Sequence, residues 1–116
     1  MNVKIVTDKN MAEVLEKNQI IFLDFWASWC EPCKIFGPIF ERVASAHPDI
    51  FFGKVNTETE HLLGQDFAIK SIPTLVILKA GTIIFSESGV IPEYALNNIV
   101  ARARKIDPES LSKEDS

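Results

Sequence analysis

Cysteine is scarce in this chain of 116 residues: there are two, Cys30 and Cys33, three positions apart. Two cysteines cannot make the multi-bridge framework that staples small secreted folds, and a bridge between such close neighbours removes little chain entropy. A pair that adds little stability points toward chemistry. Positive charge is also short: 12 Lys and Arg face 16 Asp and Glu, a formal net of −4. That excludes nucleic-acid binding as the main task, because binding to phosphates needs a concentrated basic face. Long apolar runs are missing. The longest, Ile20 to Phe25, is broken by Asp24 and falls far short of the ~20 residues that cross a bilayer. The opening Met1-Asn2-Val3-Lys4 has none of the basic, apolar and small-residue pattern of a secretory signal, so a cytoplasmic protein with mostly reduced thiols is expected. Histidine is limited to His47 and His61, which lack metal-ligand spacing to the cysteines; no metal is expected. Neither Gly81 nor Gly89 belongs to a GxGxxG or phosphate-loop pattern.

What is present is the balance of one globular domain, 47% hydrophobic and 24% charged. Val3 to Val6 reads as a short strand. Asn10 and Glu13 have capping-box spacing ahead of a helix carrying Met11, Val14 and Leu15. Ile20 to Trp26 is nearly all apolar and too short for a buried helix, so it reads as a central strand covered on both faces. From Cys30 onward, Ile35, Phe36, Ile39, Phe40 and Val43 recur at helical spacing until His47-Pro48-Asp49, with Pro38 inside. Ile50 to Val55 is a further strand and Glu58 to Phe67 a short helix. Thr74 to Leu78 and Thr82 to Phe85 form an antiparallel hairpin across Lys79-Ala80-Gly81. Pro92 fits the first turn of a last helix whose buried stripe is Ala95, Leu96, Ile99, Val100 and Ala103. The order βαβαβαββα predicts an α/β fold: a mixed central sheet, parallel in its first part, with helices on both faces. Residues 1–105 are expected to form this domain and 106–116 an acidic mobile tail. The body then carries −1 and the tail −3, so the acidity says little about the substrate-facing surface.

Cys30 and Cys33 stand where a buried strand meets the long helix. Free backbone N–H groups and the helix dipole there favour a thiolate on Cys30, the species that attacks a disulfide. Cys33, one turn further on the same side, is placed to resolve the mixed disulfide so formed. Pro32 is tolerated in a first turn, where N–H groups lack intrahelical partners. Asp24 interrupts an apolar strand; an ionised carboxylate there is costly, so its pKa should rise unless a bulge turns it to solvent. Lys54 is either the cation that moderates Asp24 or an ordinary strand-edge lysine. Glu31 sets a carboxylate beside Cys30, which opposes the thiolate, although a helix N-terminus suits Glu31 itself.

The segment Trp26 to Lys34, WASWCEPCK, resembles the thioredoxin active-site segment, usually WAxWCGPCK, and departs from it at Glu31, where glycine is usual. Asp24, Pro38, Lys54, Ile72-Pro73-Thr74, Gly81 and Gly89 match further thioredoxin marks in order, and the likeness runs from about Val3 to Lys105. Lys54 to Glu58 and Ser71 to Thr74 look most similar to the bacterial thioredoxin 2 subtype, without its N-terminal zinc domain. The resemblance implies the thioredoxin fold and a protein-disulfide reductase. It implies Asp24 as proton acceptor for Cys33, a cis Ile72-Pro73 bond against the cysteines, and Ile72 offering backbone hydrogen bonds to substrate. Trp29 and the Gly89-Val90 loop would complete an apolar groove, while Trp26 packs. The resemblance further implies no bound cofactor beyond the Cys30-Cys33 disulfide. The partners would be disulfide-containing proteins and an NADPH-dependent flavoprotein thioredoxin reductase, and the protein a monomer. Glu31 should shift the redox poise. The competing readings are a thiol oxidase or isomerase, and a non-catalytic thioredoxin-fold binding or chaperone module.

Overall fold

Strand β2 (Ile20–Trp26) lies in the middle of a five-stranded sheet, as its apolar character on both faces requires. The computed structural model describes residues 2–110 and orders the strands β1-β3-β2-β4-β5. β3 (Phe51–Asn56) runs parallel to β2 and to β1 (Val3–Ile5), whereas β4 (Thr74–Lys79) is antiparallel to β2 and to β5 (Thr82–Ser88). This is the expected mixed sheet in the expected order, the thioredoxin fold. The helices are α1 (Met11–Lys17), α2 (Glu31–Ala46), α3 (His61–Asp66) and α4 (Glu93–Lys105).

Alternation along β2 divides the core. Phe22 faces the layer that holds Phe36, Phe40 and Val43 of α2 and Leu96, Val100 and Ala103 of α4. Ile21, Leu23 and Phe25 face the layer of Met11 and Val14 from α1 and Leu63 from α3. Phe22 pairs in register with Phe52 of β3, and the two rings stack 4.8 Å apart. Two residues on, the same register pairs Asp24 with Lys54, so period 2 places that pair under α2 as well. Gly53 is forced by packing: a Cβ there would lie 2.5 Å from Val6 Cγ2 and 2.8 Å from Phe51 Cε1.

Several local expectations change. Asn10 precedes α1 but makes no side-chain cap. Its side chain is already engaged by the turn before it, accepting from Thr7 N–H (2.8 Å) and donating to the Ile5 carbonyl (3.0 Å). Ile35 is 61% exposed rather than part of the buried stripe, and Leu15 of α1 is exposed as well. At 100° per residue Ile35 lies about 130° from the centre of the face made by Cys33, Phe36, Phe40, Val43 and Ala44. Helix α3 starts at His61, because residues 57–59 form a turn and Glu60 is the N-cap. The hairpin loop is tighter than expected, Ala80-Gly81 with φ of 52° and 79°, and β5 runs on to Ser88. Pro92 caps α4 in an extended conformation instead of entering its first turn. Lys79 donates to the carbonyls of Ala103, Arg104 and Ile106 at 2.8 to 2.9 Å, closing the end of α4. Of the tail, residues 111–116, with Leu111, lie outside the described residues.

At the far end of α2, His47, Asp49, Asn97 and Arg104 form one polar network. Arg104 takes Asp49 with both terminal nitrogens (2.6 and 3.1 Å) and donates to His47 Nδ1 (3.2 Å). An arginine cannot accept, so His47 Nδ1 is the acceptor and its Nε2–H donates to Asn97 Oδ1 (3.2 Å). His61 is exposed, with Nε2 donating to the Glu58 carbonyl.

Candidate active site

The strand-to-helix junction that carries the cysteines is built as the sequence implies. β2 ends at Trp26, a turn over Ala27 to Cys30 is closed by the Cys30 N–H on the Ala27 carbonyl (3.3 Å), and α2 begins at Glu31. Cys30 is the N-cap, extended at φ −90° and ψ 110°, and its sulfur accepts the backbone N–H of Cys33 at 3.2 Å. Pro32 occupies the first turn, as its missing N–H allows. A helix N-terminus with an amide aimed at Cys30 Sγ stabilises negative charge on that atom. Here Cys30 and Cys33 are joined as a disulfide, with Cα atoms 5.3 Å apart and both residues nearly buried.

The Ile72-Pro73 bond is cis, and the Ile72 carbonyl oxygen lies 3.8 Å from Cys30 Sγ. Gly89 donates its N–H to the Pro73 carbonyl (2.8 Å), which brings the Gly89-Val90 loop to the same edge. Hydroxyls lock the two loops together. Thr74 Oγ1 donates to the Ser71 carbonyl (2.6 Å), and Ser88 Oγ lies within 3.0 Å of both Thr74 Oγ1 and Ser71 Oγ. Trp29 is 69% exposed, so it is a surface aromatic and not a core one; Val90 is also exposed.

Behind Cys33 lies a cavity of about 350 Å³ lined by Asp24, Trp26, Ala27, Ser28, Cys33, Lys34, Gly37 and Lys54. Asp24 is buried, and its Oδ1, like Trp26 Nε1, has no hydrogen-bond partner among the described residues. Burial pushes the Asp24 carboxyl up to about 7, against a smaller opposing pull from Lys54. The strand does not bulge it outward. Lys54 sits over the Trp26 ring, its Nζ 5.8 Å from the ring centroid. Lys54 is the strand-register neighbour of Asp24 and lines the same cavity. Glu31 forms an exposed ion pair with Lys34 (2.9 Å). Among the described residues, no group of three or more His, Cys, Asp and Glu side chains is placed to hold a metal.

Sequence reasoning missed Ser28 and Glu58, which bond across the turn before Cys30, and the Ser71, Thr74 and Ser88 hydroxyls. Serine, threonine and glutamate are common surface residues, and all of these partners but the pair Ser71 and Thr74 lie 14 to 30 positions apart, which carries no local signal.

With this geometry in place, the likeness to known proteins becomes specific. The family model described as Thioredoxin matches residues 2–102. A Streptomyces coelicolor protein named "Putative thioredoxin 2" is 44% identical over 108 residues, 93% of this chain and 81% of that protein. A Chlorobaculum thiosulfatiphilum protein named thioredoxin is 35% identical over 103 residues, covering 87% and 90% of the two chains. The crystal structure of a Malassezia sympodialis thioredoxin superposes with a TM-score of 0.76 at 29% identity, covering 85% of this chain and 91% of that one.

Proposed function

The chain belongs to the thioredoxin family and is a thiol-disulfide oxidoreductase whose redox carrier is the Cys30-Cys33 pair; from that premise we propose how its residues divide the work. Disulfide-bearing proteins and a thioredoxin reductase are the general partners that family membership brings. No helix among the described residues is long and apolar enough to cross a membrane.

The Cys30 thiolate attacks one sulfur of a substrate disulfide, forming a mixed disulfide and releasing the other substrate sulfur as a thiolate. Cys33 gives its proton to Asp24 across the shared cavity and attacks Cys30 Sγ. The second substrate sulfur leaves, and Cys30-Cys33 is oxidised while the substrate is reduced by two electrons. Lys54 favours the ionised form of Asp24 and so sets the pH at which it can accept. An extended substrate segment lies along Trp29, the Ile72 backbone, Pro73, Gly89 and Val90, bound by apolar surface and main-chain hydrogen bonds. Glu31 and Pro32 tune the poise of the pair. The finer partner is an NADPH-dependent flavoprotein reductase, and the protein works as a cytoplasmic monomer.

The observation that carries this reading is the Cys33 N–H aimed at Cys30 Sγ, with Ile72 O 3.8 Å from the same sulfur. The test is reduction of insulin, followed first with dithiothreitol and then with NADPH and thioredoxin reductase. Accelerated precipitation and continuous NADPH consumption are expected. A binding module leaves the rate unchanged, an oxidase or isomerase supports no NADPH-coupled turnover, and either result overturns the reading.

A further inference from the structure

Glu58 lies in the turn after β3, at the end of the Lys54 to Glu58 segment, and the sequence by itself gives it no role. One of its oxygens, Oε1, accepts both the backbone N–H of Ser28 (2.6 Å) and the Ser28 hydroxyl (2.7 Å). The backbone of Glu58 is itself held, its N–H donating to Asn56 Oδ1 and its carbonyl accepting from His61 Nε2, both at 2.9 Å. The residue before it repeats the pattern in reverse. Thr57 donates its N–H (2.9 Å) and its Oγ1 (3.0 Å) to the carbonyl of Trp26. Four hydrogen bonds thus clasp the segment Trp26 to Ser28 onto the end of β3. The two donors from Ser28 hold the Glu58 carboxyl below the usual carboxylate range.

The clasp ends where the reactive surface begins. Trp29 and Cys30 follow directly, and Trp29 is 69% exposed, so its own packing contributes little to holding it. Its orientation, and that of the N-cap sulfur, depend on where Ser28 is held.

We propose that Glu58 is a positioning residue for disulfide exchange: through both donors of Ser28 it fixes the turn that presents Trp29 and Cys30 together to the incoming disulfide. The part concerning Trp29 rests on the substrate groove proposed above. Glu58 acts by hydrogen bonding and not by charge. Because one oxygen takes both bonds, the amide oxygen of glutamine can take the same two without a charge.

The test uses the full chain in the reductase-coupled assay with a protein disulfide, together with the pH profile of iodoacetamide alkylation at Cys30. Glu58→Ala is expected to raise KM about fivefold with kcat within about twofold, and to move the alkylation profile. Glu58→Gln should restore both to within about twofold of the unaltered protein. Ser28→Ala, which removes one of the two bonds, should give an intermediate rise in KM and decides the matter if Glu58→Ala does not fold. An unchanged KM and alkylation profile in the alanine variants, even with a lowered Tm, overturns the proposal as a purely structural role. A glutamine variant as impaired as alanine overturns it in favour of charge. Trp29→Ala, run in parallel, separates the two readings. If it leaves KM unchanged while Glu58→Ala moves the alkylation profile, the groove fails and the clasp stands through Cys30.

Discussion

The two ends of helix α2 treat their carboxylates in opposite ways. At its N-terminal end Asp24 is buried with no partner for Oδ1 among the described residues, beside a cavity and a sulfur, and its carboxyl is pushed up to about 7. At its C-terminal end Asp49 is exposed and held by two Arg104 bonds, and that guanidinium lowers its carboxyl to about 2. His47, Asn97 and Arg104 complete a network there in which the polar groups satisfy one another. A group left unsatisfied in the interior keeps its proton close to neutral pH and is ready to exchange it. One satisfied at the surface has nothing left to exchange. The difference lies in desolvation and partners, not in residue type.

Removing Cys33, the thiol proposed to resolve the mixed disulfide, breaks the comparison most severely. Cys33→Ser is expected to lower turnover at least about a thousandfold and to leave protein substrates covalently attached through Cys30, detectable as a mixed disulfide by intact mass. Full turnover without an adduct would remove Cys33 from the mechanism.

Asp24→Asn comes next and acts on two quantities in opposite directions. Turnover should fall about tenfold or more above pH 7 and lose its rise through that pH, because Asp24 accepts a proton only when ionised. Stability should increase. The carboxyl ionises at 3.8 in the unfolded chain and about 7 in the folded one, a difference that corresponds to about 4 kcal/mol. That contribution is present in full below the unfolded value and is lost as pH rises through 7. Asparagine should therefore raise the Tm most at pH 8, and an equal Tm gain at pH 4 would contradict the assignment. Asp49 has the opposite sign. Its contribution is present above 3.8 and disappears as pH falls toward 2, so mild acidification strengthens one end of α2 before stronger acid weakens the other.

Glu31→Gly is a smaller perturbation. The side chain is exposed and paired with Lys34, so the equilibrium constant against a thiol buffer should move only about two- to tenfold. An identical constant would leave Glu31 without a redox role. Arg104→Ala should have the least effect on chemistry. It opens the distal network and lowers the acid stability that Asp49 supplies, yet disulfide turnover should stay unchanged; a drop in turnover would mean that the two ends of α2 are coupled.

Much of this was legible in the residues. The apolar run Ile20–Trp26 could be buried only as a central strand, and the Cys30-Pro32-Cys33 spacing at a helix start points to a thiolate and a resolving thiol. Asp24 was conspicuous because it interrupts that run. Other features were not legible. Asn10 had capping-box spacing, but the turn from Thr7 engaged its side chain first. Ile35 looked like core because it is apolar, yet the helix turned it outward. The bonds from Ser28 to Glu58 join residues with no local pattern to link them.

By itself the sequence determined the order of the elements, the location of the redox pair and the lone carboxylate in a buried strand, because periodicity and chemical type are local properties. The tertiary structure decided which residues meet. Strand register paired Asp24 with Lys54, and the antiparallel return of β4 brought Ile72 to Cys30. The turn after β3 supplied the carboxylate that clasps the turn before Cys30. Those contacts span 30 or more residues along the chain, and only the packing of one sheet between two helical layers sets their distances.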